Sequence, residues 1–478
     1  MNAALTSCWN PKYAWLMIER ANPPKRAPAE RINDFREVYQ RYDEGAVRDQ
    51  ASRCIQCPNA GCIEGCPLSN RIPEWLALAA DGDFLGAAEI SGSTSNMPEI
   101  CSRVCPHERL CEGACILNGR SEPVAIGAVE CFINEYALER GAVSAATEPP
   151  NGLKVGVIGS GPSGFACADE LAKQGFAVTV FESQSPPGGL LANGIPGFKL
   201  DRAVVARRIE QLERRGVEWR LGIRVGWELA LRDLRGQFDA VFLGTGAQQG
   251  KALDVPGAAL KGVIQALPFL IGANTPRRFE DTFLNLEGKR VVILGGGDTA
   301  MDCLRSAIRL GAREVVCLYR RDLANMPGSR KEYTNALEEG AVFQFLVKPV
   351  GIEGSAAGGV GRVHCVRMEL GAVGPGGRRV PRPVAGSEFS VPADIVIVAY
   401  GFDPEPFPSG SDFSTVATND WGGIVVDSDQ MTSLAGVFAG GDSTRGPSLV
   451  VHAVRDGRRA ASGIMRYLGA VPAGARWS

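Results

Sequence analysis

The chain has 478 residues, with 51 lysines and arginines against 53 aspartates and glutamates and a formal charge of −2. That is too long for one compact core and too evenly charged to argue generally for nucleic acid or an anionic membrane as partner. No apolar run approaches the ~18–20 residues that span a bilayer, and residues 1–20 lack the basic and apolar regions of a secretory leader, so a soluble, cytoplasmic protein of two to three domains is expected.

Residues 1–146 are polar, carry helix-forming stretches at 29–42, 73–90 and 124–139, and show no alternating strand pattern, which predicts a small helical domain. Eight cysteines fall there in two quartets, Cys54-x2-Cys57-x4-Cys62-x3-Cys66 and Cys101-x3-Cys105-x5-Cys111-x3-Cys115. Thiolates this close in sequence hold iron–sulfur clusters, and Cys66-Pro67 and Cys105-Pro106 match ferredoxin-like runs in which the last cysteine often serves the other cluster. Two [4Fe-4S] clusters are therefore the leading reading. Zinc sites, a disulfide framework and buried small hydrophobes are the alternatives. Zinc-site pairs usually sit two to four residues apart in separated knuckles, and without a leader nothing sends the chain to an oxidising compartment. His107, His364 and His452 form no metal constellation; His107 reads as an exposed loop residue, with hydrogen bonding to a cluster as the other possibility.

Residues 141–152 have linker composition, and after them the texture becomes α/β. Residues 154–159 form a short apolar strand, followed by Gly159-Ser160-Gly161-Pro162-Ser163-Gly164 and a helical stretch at 165–173. The first glycine permits a tight turn, the second lets backbone approach a pyrophosphate, and the third lets helix and strand pack closely. A second strand at 177–181 ends in Glu182, placed to accept the ribose hydroxyls of a dinucleotide. The design repeats at 289–294, with Gly295-Gly296-Gly297-Asp298-Thr299-Ala300 and a helix at 301–309. Its second strand, 314–319, ends in Arg320-Arg321 instead of an acid. An arginine pair suits a 2′-phosphate, which favours NADPH over NADH. Residues 351–377, rich in glycine, read as a surface turn region. A strand at 392–400 is expected to close the second sheet, and one at 238–246 to lead out of the first. Cys8, Cys167, Cys303, Cys317 and Cys365 read as packing residues, and no Cys-x-x-Cys in either nucleotide unit offers a dithiol mechanism.

The expected fold class is α/β: a helical N-terminal iron–sulfur domain (1–146) followed by two Rossmann-like domains of the two-nucleotide flavoprotein reductase type. The FAD domain is expected in two parts (153–286 and 405–478) around an NADPH domain (287–404).

The motifs Gly159–Gly164, Gly188-Gly-Leu-Leu-Ala-Asn-Gly-Ile-Pro-Gly-Phe-Lys199, Gly295–Asp302, Tyr319-Arg-Arg-Asp322, Met326-Pro-Gly-Ser-Arg330 and Gly440-Gly-Asp-Ser-Thr-Arg-Gly446, with both cysteine quartets and the closing helix, resemble the small (β) subunit family of bacterial NADPH-dependent glutamate synthase. The resemblance covers nearly the whole chain. It implies that NADPH delivers hydride to FAD and that single electrons leave through the clusters toward an FMN in a large partner subunit. There glutamine and 2-oxoglutarate become glutamate. The cofactors carry this chemistry, so no catalytic acid or base is expected. FAD would be held by Gly159, Gly161, Pro162, Ser163, Gly164, Glu182, Gly189, Leu190, Gly441 and Asp442. NADPH would be held by Gly295, Gly297, Asp298, Thr299, Arg320 and Arg321.

Similarity to the N-terminal domain of dihydropyrimidine dehydrogenase assigns one cluster to Cys54, Cys57, Cys62 and Cys115. The other takes Cys66, Cys105 and Cys111 with Glu130, for which Cys101 and Cys131 are rivals; a cysteine at 131 departs from the family pattern. Two other functions compete. One is the same electron-entry module serving another acceptor, of ferredoxin–NADP transhydrogenase or dihydropyrimidine dehydrogenase type; the other is a non-enzymatic, metal-stapled scaffold. With no room for a glutaminase or a glutamate-forming barrel, the chain alone is not expected to make glutamate.

Overall fold

The computed structural model describes residues 13–274, 285–356, 358–374 and 377–470; Cys8 lies outside them. The first part is helical, with helices Glu44–Ser52, Ile72–Asp81, Phe84–Thr94, Pro98–Val104 and Ile126–Glu139. They enclose a core that includes Val47, Trp75, Leu76, Phe84, Val129 and Ile133. The stretch expected as one helix at 73–90 is two. Gly82 takes a left-handed φ of 88° and ends the first, and Asp83 caps the second by accepting from the Gly86 amide at 2.9 Å. The helix expected at 29–42 shrinks to Pro28–Arg31. Beyond it the chain is recruited by tertiary partners: Lys25 bridges Tyr39 and the Val38 amide donates to the Phe198 carbonyl at 3.1 Å.

Two five-stranded parallel sheets follow. The first runs, in spatial order, Val437–Ala439, Ala240–Leu243, Lys154–Ile158, Ala177–Glu182 and Glu218–Leu221. The second runs Val263–Gln265, Ile395–Val398, Arg290–Leu294, Glu314–Tyr319 and Val342–Phe345. The interior strands Ala240–Leu243 and Ile395–Val398 are buried throughout, as apolar runs covered on both faces require. Two details differ from the sequence expectation. Val263–Gln265 forms the edge of the second sheet although it precedes residue 287. Ile395–Val398 is therefore an interior strand between Val263–Gln265 and Arg290–Leu294 and does not close the sheet. The region read as turns at 351–377 is largely two antiparallel strands, Val347–Gly354 and Val360–Val373, joined by Arg379–Pro383 and Phe389–Pro392 into a third sheet.

In the first sheet's unit, helix Val450–Tyr467 lies against helix Pro162–Lys173. A Cβ on Gly457 would fall 2.2 Å from the Ser163 carbonyl oxygen, so only glycine permits this approach.

The helical part is bolted to both nucleotide units. Arg208 donates twice to Glu99, at 2.9 and 2.7 Å, and Asn96 donates to Asp169 and Glu170, both at 2.6 Å. Arg31 donates to Glu339 at 2.7 Å and to Glu338 at 2.8 Å. Glu339 also accepts from Arg305 at 2.9 Å and Arg309 at 2.6 Å. The Arg31, Arg305, Arg309 and Glu339 side chains are all fully buried, and both Arg305 and Arg309 lie over the Phe198 ring. Burial works against the Glu339 carboxylate, but Arg305 and Arg309 hold its pKa at about 2. A buried charge network of this kind is costly to break because the remaining charges stay unpaired.

Candidate functional site

In the first glycine turn the first and third glycines are sterically required. Gly159 has φ 90°, and a Cβ there would fall 2.4 Å from the Gly244 carbonyl oxygen; a Cβ on Gly164 would fall 2.0 Å from the Gly159 carbonyl oxygen. Gly161 meets nothing within 4 Å, so its open side is free for a ligand. Pro162 occupies the first turn of the following helix, whose first-turn amides have no intrahelical acceptor. Glu182 ties this turn to the strand end, accepting from the Ser160 amide at 3.0 Å and hydroxyl at 2.6 Å. Gly189, with φ 52°, sits so close that its Cβ would approach Gly161 Cα to 2.9 Å. From the far end of the chain, Gly441, with φ 77°, abuts Ser163, and Asp442 accepts from the Ser448 amide at 3.1 Å. Burial pushes the Asp442 carboxyl up to about 7.

These residues surround a cleft of ≈ 640 Å³. Gly159, Gly161, Pro162, Ser163, Glu182, Gly189, Leu190 and Asp442 line it from one side, and Asp298 and Thr299 from the other. Gly164 and Gly441 stand behind the wall. The cradle fits an elongated phosphate-bearing cofactor, because a side chain at any of the constrained glycines would collide with backbone or close the approach.

The second turn is built alike. Gly295 has φ 143°, its Cβ would fall 2.3 Å from the Ala399 carbonyl oxygen, and Gly297 meets nothing within 4 Å. Asp298 accepts from the Ser329 amide at 2.8 Å and from Arg109 of the helical part at 3.4 Å. Arg320 and Arg321 are not brought to the cleft wall. Arg320 is exposed at the end of its strand, and Arg321 donates from Nε to the Arg379 carbonyl at 2.8 Å.

One pair in the cleft has no counterpart in the sequence expectations. Lys199 donates to Asp302 at 2.8 Å across the two nucleotide units, and both line the cleft. Burial opposes the Lys199 ammonium, but Asp302, Glu332 and Asp298 outweigh it and carry its pKa above the ordinary lysine value. Both residues stand in the quoted motifs; only their meeting across 103 positions was hidden.

The eight quartet cysteines gather around two cavities. Cys54, Cys57, Cys62 and Cys115 line the first, among apolar neighbours such as Leu76, Leu117 and Val124. Cys66, Cys101, Cys105 and Cys111 line the second with Glu130, Asn70 and His107. Cys131 is in neither wall. Burial pushes the Cys54 thiol up to about 11, Cys62 to about 12 and Cys66 to about 11. Thiolates there need cationic iron to offset that burial, and the donor set fits iron–sulfur clusters. Glu130 accepts from Asn70 at 3.3 Å and Ser91 at 3.4 Å, and burial raises its pKa to about 8. Among the described residues no three His, Cys, Asp or Glu side chains form a single-ion site. Cys105 lines the second cavity and also the dinucleotide cleft, together with Arg103, Val104 and Pro106. His107 is not the exposed loop residue expected: its Nε2 is enclosed.

Residues 31–142 match the family model "Dihydropyrimidine dehydrogenase domain II, 4Fe-4S cluster", and residues 153–457 match "Pyridine nucleotide-disulphide oxidoreductase". Mycobacterium tuberculosis FprA in complex with NADPH shares the fold, with a TM-score of 0.56 and 22% identity over 67% of this chain and 85% of that one. The molecule is thus an oxidoreductase of the two-dinucleotide type with an N-terminal 4Fe-4S domain. It is 45% identical to the glutamate synthase [NADPH] small chain of Azospirillum brasilense over 93% of this chain and 94% of the relative. The Escherichia coli (strain K12) small chain is also 45% identical, over 95% and 98%. The chain belongs to the glutamate synthase [NADPH] small chain family. A protein named as an oxidoreductase, AegA of Escherichia coli (strain K12), is 44% identical over 94% of this chain and 70% of its own length. Among the described residues, Cys167, Cys303, Cys317 and Cys365 of the nucleotide units are buried and free.

Proposed function

We propose that this chain is the NADPH-oxidising electron-entry subunit of a glutamate synthase, acting in the cytoplasm with a large, FMN-bearing subunit. Bound FAD and two [4Fe-4S] clusters would supply the conversion of one hydride into single electrons, which side chains cannot perform. The first glycine turn with Glu182, Gly189, Leu190 and Asp442 would hold FAD. The second, with Asp298 and Thr299, would hold NADPH, with Arg320 and Arg321 at its 2′-phosphate. Facing turns in one cleft would allow donor and acceptor rings to reach the short range hydride transfer needs, and the Lys199–Asp302 pair fixes the two walls against each other. Cys54, Cys57, Cys62 and Cys115 would ligate one cluster; Cys66, Cys105, Cys111 and Glu130 the other. We divide the chain at 1–146, 153–286, 287–404 and 405–478, with 263–265 lending an edge strand to the NADPH unit.

The observation that carries the reading is Cys105, which lines both the dinucleotide cleft and the second cavity, so no intervening layer separates the flavin site from a cluster ligand. A second reading, the same module serving another acceptor, draws support from the AegA match, in which most of this chain is similar to part of a differently named protein.

The test is anaerobic reduction by NADPH and, separately, NADH, followed by visible absorbance, then assay with the large subunit, glutamine and 2-oxoglutarate. Rapid flavin bleaching by NADPH, and glutamate only with the partner, is the expected result. Bleaching without glutamate supports the second reading, and a purified chain without flavin returns the scaffold.

A further inference from the structure

His107 follows Cys105-Pro106 and opens the short turn that leads to Cys111. Its carbonyl accepts from the Leu110, Glu112 and Gly113 amides at 3.1, 3.0 and 3.1 Å, which fixes the backbone there. The imidazole lies against the start of helix Ile126–Glu139. A Cβ on Gly127 would fall 2.3 to 2.7 Å from three ring atoms, so the ring fills the space a side chain would need. Nε2 is enclosed and has no hydrogen-bond partner, yet His107 belongs to the wall of the second cavity beside Cys66, Cys105 and Cys111. An unsatisfied buried polar nitrogen costs roughly 1–3 kcal/mol, and native structures rarely leave one so without a reason. The first cavity has no histidine among its lining residues.

We infer that His107, as its Nε2–H tautomer, donates a hydrogen bond to a sulfur of the cluster held in the second cavity and thereby raises that cluster's potential above that of its neighbour. The inference rests on the cluster reading proposed above. A donor to sulfur favours the reduced, more negative form, and hydrogen bonds of this kind are among the means by which proteins set cluster potentials. His107 then adds to the difference between the two clusters that the Glu130 ligand already sets.

The test is an anaerobic, EPR-monitored redox titration of the whole holoprotein, with iron counted per chain, for the unaltered chain, His107→Leu and His107→Gln. Cys111→Ser identifies which signal belongs to the second cavity. In His107→Leu that cluster's midpoint is expected to fall by about 59 mV, a tenfold change in a one-electron equilibrium, with full iron and an unmoved first cluster. His107→Gln, which keeps an N–H donor, is expected to recover most of the shift. An unchanged midpoint in His107→Leu, or an equal shift in both clusters, overturns the inference. Loss of iron from the second cavity overturns it too, since His107 would then be a ligand.

Pulsed EPR on unaltered protein carrying 15N-histidine needs no variant to fold: a weak 15N coupling on the second cluster's signal is expected, and none, or one of ligand size, overturns the assignment. A holoprotein with a single cluster defeats the underlying reading, whereas a second cluster indifferent to residue 107 defeats only this inference.

Discussion

The two cysteine-lined cavities are built from interleaved halves of the same sequence pattern but have different walls. The first is thiol and hydrocarbon, and one of its walls, Ile116, is 49% exposed. The second adds a carboxyl, an amide and an imidazole, and shares Cys105 with the dinucleotide cleft. Only Ile126 lies in both cysteine cavities. The ligation proposed above gives the first cluster four thiolates and the second three thiolates with Glu130. It is the remaining wall that separates an inner site, beside the dinucleotide cleft and rich in polar groups, from an outer one near solvent.

The largest expected effect tests that order directly. Cys111→Ser should halve the iron and leave NADPH able to bleach flavin but unable to reduce the remaining cluster. Cys54→Ser should also halve the iron, yet leave the surviving cluster reducible by NADPH, as EPR after anaerobic NADPH addition would reveal. Equal behaviour of the two variants breaks the distinction between inner and outer sites. Cys101→Ala is expected to keep the iron of both clusters; loss of one would put Cys101 in place of Glu130.

The inner side is also the anchored side, since Glu108, one residue past His107, accepts from the Ser329 hydroxyl at 2.9 Å and the Arg330 amide at 3.2 Å. Removing a hub of the neighbouring buried network should therefore be felt strongly. Glu339→Ala is expected to cost about 3–5 kcal/mol, because Arg31, Arg305 and Arg309 remain buried with too few carboxylates. Arg36→Ala, at an exposed pair, should cost about 1 kcal/mol or less. Thermal unfolding of both holoproteins checks this. Since Glu339 titrates near 2 in the folded state, its contribution should be fully present above the ordinary glutamate range and fade only as pH falls toward 2.

A further expected effect is a pH dependence confined to the cleft. Asp442 titrates near 7, so its carboxyl is neutral below that value and anionic above it. An anionic flavin pyrophosphate should bind progressively more weakly as pH rises through 7, by up to about tenfold per unit, with iron content unchanged. Titrating flavin-free protein with FAD between pH 6 and 8.5 measures it, and Asp442→Asn should flatten the curve. A slope that persists in that variant assigns the titration elsewhere.

The nucleotide turns were legible because their logic is local: strand, glycine spacing and helix lie within a dozen residues, and the steric demands on Gly159, Gly164 and Gly295 follow from that stretch. The antiparallel strands at 347–373 were misread because glycines interrupt their apolar residues, although in Val347–Gly354 burial alternates for the first five residues. Pro28–Arg31 was overextended because helix propensity says nothing of Arg31's partners, more than 300 residues away. The enclosure of His107 was equally hidden, since it depends on Gly127 having no side chain, and no local pattern connects the two.

That separation of Arg31 from Glu338, 307 residues, bears on how the molecule is made. At synthesis rates of roughly 5–20 residues per second, the segment around Arg31 waits about 15–60 s before its carboxylate partners leave the ribosome. All eight quartet cysteines emerge within that interval, so the helical part must stay open, or receive its iron, before the seam that seals it to the rest of the protein exists.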